Sequence, residues 1–112
     1  MGSDRFNLML ELFRACHWEF KCLSENTRRQ ILITLLEEGP LNVSQITQRT
    51  YLSQPAISHH LKELRLASLV HMRPVGSENY YEATLDPFLE KLSSIVQQFR
   101  EDEESVSALE NQ

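Results

Sequence analysis

The sequence predicts a mainly α-helical fold that carries one small β-hairpin. Two observations lead there. Apolar residues recur at three- and four-residue spacings in five stretches, most of them opened by capping residues, and two short strand-like runs follow residue 68 with turn residues between them.

Residues 6–22 read as an amphipathic helix with Phe6, Met9, Leu10, Phe13, His17 and Phe20 along one stripe. Leu8, Leu12 and Trp18 lie off that stripe, so the helix needs cover on more than one side, from a second subunit or from within the monomer. Ser24, Glu25, Asn26 and Thr27 supply caps for a helix over 26–38, with Ile31, Leu32, Leu35 and Leu36 facing a core. Gly39 and Pro40 stop it. Arg28 and Arg29 sit in its first turn, where the helix dipole disfavours positive charge; either they contact phosphate or the small cost is tolerated.

Residues 43–50 form a short helix with Val43, Ile46 and Thr50 inward, and a tight turn near Tyr51 and Leu52 leads to a second helix. Ser53 caps that helix, and Pro55 takes an early position where it has no N–H to lose. Ile57, Leu61 and Leu64 mark its buried stripe, while Gln54, Ser58, His59, Lys62 and Arg65 lie opposite. Two helices joined this way are a helix-turn-helix, whose second helix enters the DNA major groove. His60 lies nearer the buried stripe and is expected to support the turn.

Residues 69–73 and 79–84 are strand candidates, with 75–78 as turn and Pro74 at the hairpin edge. A hairpin directly after a recognition helix is the wing of a winged helix. Tyr80 and Tyr81 alternate there, one ring inward and one outward. Asp86 and Pro87 open the last helix, whose stripe is Phe88, Leu89, Leu92, Ile95, Val96 and Phe99.

A chain of 112 residues suggests one domain, here 1–105 with DNA-binding and dimerisation parts, and an acidic to polar tail over 106–112 that is expected to be disordered. The 41% hydrophobic and 24% charged fractions are those of an ordinary soluble protein. No apolar run approaches the roughly 20 residues that span a bilayer. The opening MGSDRF fits neither export nor lipid anchoring, so a cytoplasmic location without membrane attachment is expected. The net charge of −5 divides into −1 over residues 1–26, +3 over 27–76 and −7 over 77–112, so the positive part holds the helix-turn-helix. The local field at a contact face governs phosphate binding more than the total.

The order of elements, with LSQPAISHHLKEL at 52–64, Leu69-Val70, and the stretch from Arg28 to Leu36, which is similar to the family's Arg-x-x-Ile-Leu-x-x-Leu helix, resembles the ArsR/SmtB family of prokaryotic transcriptional repressors over roughly residues 23–100. The resemblance implies a homodimer built on the first and last helices that leaves its operator when an effector binds. It also implies places for metal ligands. Asn42 and Ser44 stand where one family site has cysteines, and Asp86, Phe88, Phe99 and Asp102 stand where another has Asp, His and Glu ligands. Without thiolates or imidazoles both familiar sites are expected to be absent, and no cofactor is implied. Ser68 replaces the glycine that commonly ends the recognition helix, and must accept a left-handed conformation or end the helix differently.

Cys16 and Cys22, six residues apart, cannot share a metal within one straight helix, and small buried hydrophobes are the ordinary use of such residues. A thiol-redox regulator using Cys16 or Cys22 is the sharper alternative. His17, beside Cys16 in a helix, points elsewhere, and His71 on its strand has no obvious partner in the sequence; both read as structural or surface residues. No phosphate loop or hydrolase motif is present, and the carboxylates gather in the tail, so no enzymatic activity is expected.

The sequence therefore reads as a homodimeric repressor of double-stranded DNA with an inverted-repeat operator. Its DNA-binding candidates are Ser53, Gln54, Pro55, Ser58, His59 and Lys62 in the groove, with Arg28, Arg49, Arg65 and Arg73 on the backbone and Gly76 and Ser77 at the wing tip. The dimer candidates are Phe6, Leu10, Phe13, Phe20, Phe88, Leu92, Ile95 and Phe99. A dimeric winged-helix adaptor for other proteins is the rival reading, and an unknown small-molecule effector stays open.

Overall fold

The computed structural model describes the backbone of residues 2–110 and the side chains of residues 4–101. In order the elements are α1 (Gly2–Ala15), α2 (His17–Leu23), α3 (Asn26–Glu38), β1 (Leu41–Asn42), α4 (Val43–Gln48), α5 (Gln54–Leu66), β2 (Val70–Val75), β3 (Glu78–Ala83) and α6 (Asp86–Glu110). They form two compact units, one of the terminal segments up to His17 and from Asp86 onward, the other of residues 18–85.

In the terminal unit α1 packs on α6. The Phe13 and Phe99 rings meet edge to face with centroids 6.3 Å apart. Lys91 Nζ donates to the Ala15 carbonyl at 2.9 Å, placing a cation on the C-terminal end of α1. The single helix expected over 6–22 is in fact broken at Cys16. The Cys16 N–H turns back to the Phe13 carbonyl at 3.0 Å, a three-residue bond that tightens the end of α1. Lys91 takes the Ala15 carbonyl, and α2 begins afresh at His17. The backbone of α6 continues as helix to Glu110, so most of the expected tail lies on it; residues 111–112 fall outside the described residues.

In the second unit the core is Ile31, Leu32 and Leu35 of α3, Ile46 of α4, Ile57, Leu61 and Leu64 of α5, with Leu41, Leu69, Val70 and Tyr81 from the sheet and its approaches. Leu36, expected in this core, is 53% exposed. It lies about 140° around the helix from Ile31. Glu25 caps α3 by accepting the Arg28 N–H at 2.8 Å, and Gly39 ends it at φ +82° with its N–H on the Leu35 carbonyl at 3.0 Å.

The sheet has the order β1, β3, β2. Sequence periodicity misses β1, since two residues show no alternation; its pairing of Leu41 with Tyr81 and Asn42 with Tyr80 defines it. The hairpin pairs Val70 with Ala83 through Val75 with Glu78, leaving a two-residue turn at Gly76 and Ser77. Gly76 has φ +63° while Ser77 keeps a negative φ, the pattern of a type II′ turn that matches strand twist. Pro74 lies on the edge strand opposite Asn79, one pair in from the turn, where its missing N–H opens no gap in the ladder. Tyr81 points into the core and Tyr80 is half-buried.

Candidate nucleic-acid interface

The helix-turn-helix consists of α4, a turn over residues 49–53, and α5. Asn42 and Gln45 open α4 with a capping box: Asn42 Oδ1 accepts the Gln45 N–H at 2.8 Å, and Gln45 Oε1 accepts the Asn42 N–H at 2.9 Å. In the turn, Thr50 Oγ1 accepts the Leu52 N–H at 3.2 Å. Ser53 then caps α5 through the Ala56 N–H at 3.3 Å, with Pro55 in the first turn.

Ile57, Leu61 and Leu64 are each 0% exposed, which fixes the rotation of α5 about its axis. The opposite face carries Gln54, Pro55, Ser58, His59, Lys62 and Arg65, all exposed. Five of them supply hydrogen-bonding groups, arranged along a helix held on its other side by apolar packing. Ser53 is also exposed, at the near end of the same face.

His60 is half-buried and turned toward α3, its Nδ1 3.8 Å from the Glu25 carboxylate, beyond hydrogen-bond reach but within reach of a charge. Its ring lies 5.8 Å from that of His59, which faces outward. Partial burial pushes the Glu25 carboxyl up, but the backbone N–H groups of Arg28 and Thr27, with His60, outweigh it and hold the carboxyl below the usual range.

The end of α5 is a Schellman motif: Leu69 N–H reaches the Leu64 carbonyl at 2.9 Å and Ser68 N–H the Arg65 carbonyl at 2.9 Å. Ser68 adopts φ +57°, so it takes the left-handed conformation that glycine usually fills. The wing that follows is tied back to α4, because Asn42 Nδ2 donates to Glu78 Oε2 at 2.8 Å. Asn42 thus caps a helix and holds the wing at the position where a thiolate would be needed. Its capping-box spacing is visible in the sequence, while its bond to Glu78, 36 residues away, is not. Ser44 and Asn79, neither of them among the DNA-binding candidates of the sequence, line one hollow with Gln54.

Of the four expected backbone arginines, Arg28 and Arg49 are engaged elsewhere. Arg28 Nε donates to the Cys22 carbonyl at 2.7 Å, and Arg29 Nη1 to the Leu23 carbonyl at 2.7 Å. These two cations complete the C-terminal end of α2, so the helix that benefits from them is the one before their own. Arg49 Nε lies 2.7 Å and 2.9 Å from the Glu38 carboxylate oxygens, and its Nη1 donates to the Gln45 carbonyl at 2.6 Å. Arg65 and Arg73 are exposed, as are Gly76 and Ser77 at the wing tip. Among the described residues, no group of three or more His, Cys, Asp or Glu could hold a metal ion. Asp102 lies outside the described side chains.

In the terminal unit Phe6 is 66% exposed, Phe13 43% and Phe99 47%, and Leu89 and Val96 are exposed beside them. Leu10 and Leu92 are half-buried, whereas Phe88 and Ile95 are buried within the chain. Phe20, in the other unit, is exposed. Cys16 and Cys22 are both buried, and burial pushes the Cys22 thiol up. Among the described residues no helix is long and apolar enough to cross a membrane.

Residues 25–71 match the family described as bacterial regulatory protein, arsR family. The arsenic resistance transcriptional regulator ArsR1 of Pseudomonas putida is 42% identical over 62 residues, 55% of this chain, which spans 48% of that protein's length. The transcriptional repressor SdpR of Bacillus subtilis is 39% identical over 62 residues, covering 55% of this chain and 68% of the repressor. A solved ArsR-like transcriptional regulator from Rhodococcus sp. RHA1 superimposes with a TM-score of 0.75 at 26% identity, covering 88% of this chain and 92% of the other.

Proposed function

The chain belongs to the arsR family of bacterial regulatory proteins, which are DNA-binding transcriptional regulators, and on that premise we propose that it is a homodimeric repressor of an inverted-repeat operator. The observation that carries the proposal is the two-sided character of α5: three wholly buried aliphatic residues on one face, and Gln54, Ser58, His59, Lys62 and Arg65 exposed on the other. A helix so mounted presents donors and acceptors to base edges without spending them on its own fold. Gln54, Ser58 and His59 read bases. Lys62, Arg65, Arg73 and the Gly76–Ser77 tip hold the backbone, and Arg28 and Arg49 serve the fold instead. The two partners of the dimer meet on the apolar surface that α1 and α6 leave exposed.

The net charge of −5 does not oppose this, since the segment 27–76 carries +3. A thiol sensor is disfavoured by the burial of both cysteines and the raised Cys22 thiol. Selection from a pool of random duplexes at two salt concentrations tests the proposal. It expects a palindrome with half-sites about one helical turn apart. Gln54→Ala then costs about 1–3 kcal/mol on the selected site alone, and Lys62→Ala weakens every duplex and flattens the salt dependence. Binding without any enriched sequence, or identical behaviour of the two variants, overturns it.

A further inference from the structure

A cavity of about 300 Å³ opens among α2, α3 and the C-terminal half of α5, between Trp18, Lys21, Cys22, Arg28, Glu63 and Leu66. Its size is at the lower end of the range of about 300–1,000 Å³ that small-molecule sites occupy. We propose that this cavity binds a small amphipathic carboxylate, an apolar body of medium length ending in one negative charge, and that this ligand is an effector of DNA binding.

The walls supply both halves of such a ligand's recognition. Trp18 and Leu66 are 63% and 70% exposed, large apolar surfaces facing a space that a hydrocarbon body can fill. Beneath them Cys22 and Ala67 are buried, and the raised Cys22 thiol stays protonated, so the floor is uncharged. Lys21, also on the lining, has its Nζ 5.4 Å from the centre of the Trp18 ring. Arg28 is held through Nε on the Cys22 carbonyl, which leaves the terminal nitrogens of its planar fork to meet a carboxylate. Among the lining residues two cations stand against the one carboxylate of Glu63, with Glu25 acting on Arg28 from outside the lining, and Lys21 and Arg28 together favour an anion over a cation. Glu63 and Leu66 belong to α5 and Ala67 ends it, so an occupant presses on the helix that presents Gln54 and Lys62.

The effector role rests on the DNA-binding reading above, whereas binding in the cavity does not. Trp18 is the only tryptophan of the chain, so selectively excited tryptophan emission, unlike that of the three tyrosines, reports this site alone. Titration of the 112-residue chain with octanoate should give a saturable spectral shift that octylamine does not reproduce. Lys21→Gln should weaken octanoate by about tenfold, the loss of one charge-assisted contact. Leu66→Glu, at a surface position that does not threaten folding, should abolish the response. Octanoate at saturation should change the affinity for the selected operator. No saturable shift, an equal response to octylamine, or an unaffected Leu66→Glu variant overturns the site; a saturable shift with unchanged operator affinity overturns the effector role. Failure to bind any duplex would refute the DNA-binding reading and leave the fluorescence result standing.

Discussion

Replacing Ser68 by glycine should stabilise the protein, although it removes atoms. At φ +57° the Ser68 Cβ crowds the following carbonyl oxygen, and an L-residue in this conformation costs roughly 1–2 kcal/mol. Glycine relieves that cost but gives the unfolded chain more freedom, a penalty of roughly 0.5–1 kcal/mol. The Ser68 side chain is exposed, and the bond from Thr84 Oγ1 at 3.4 Å falls on its backbone carbonyl, which glycine keeps. The net expectation is a gain of about 0.5–1 kcal/mol, or about 2–6 °C in Tm for a domain of this size. Urea unfolding followed by circular dichroism at one fixed protein concentration should show a higher midpoint with an unchanged slope. Ser68→Val should lower the midpoint, because a β-branched residue tolerates the left-handed region poorly. An unchanged or lower midpoint for glycine would refute the reasoning, since no side-chain contact remains to explain it.

Phe99→Glu should dissociate the dimer in sedimentation measurements while leaving the helical content intact, because a ring 47% exposed in one chain is replaced by a charge that the partner would have to bury. Iodoacetamide should modify Cys16 and Cys22 far more slowly in the native protein than in urea, as residues 0% and 6% exposed require, and peroxide treatment should leave operator affinity unchanged. Stability should also depend on acid. The Glu38 carboxyl is held down by its bond from Arg49, and that of Glu25 is also lowered, so both contribute fully above the ordinary value of 4.5 and lose that contribution as pH falls through their folded values. Unfolding free energy should therefore decline more gently below that pH in a Glu25→Gln, Glu38→Gln double variant than in the natural chain, and an unaltered slope would count against both interactions.

How far the sequence could be read depended on the range of the interactions involved. The recognition helix was legible because each of its determinants is local: Ser53 as cap, Pro55 in the first turn, and the spacing of Ile57, Leu61 and Leu64. The left-handed Ser68 was foreseen as one of two options for the same reason. The break at Cys16 is not legible in this way: the carbonyl that ends α1 there is taken by Lys91, 76 positions away. Arg28, Arg29 and Arg49 illustrate a related limit. Their exposure to phosphate is a matter of where nearby carbonyls and Glu38 come to lie, and helical periodicity says nothing of that. Leu36 shows that an apolar residue in an apolar run need not be covered.

The bond from Asn42 to Glu78 sets a ruler into the molecule. It joins the start of the helix-turn-helix to the base of the wing turn, so the wing cannot swing away from α4 without breaking it. In operator recognition as proposed, the span between the groove and the flanking strand is then biased toward one length, and a duplex step of about 3.4 Å per base pair sets the scale of any change it must meet. Discrimination between operators that differ only in the distance from half-site to flank would come from a side chain that touches no base.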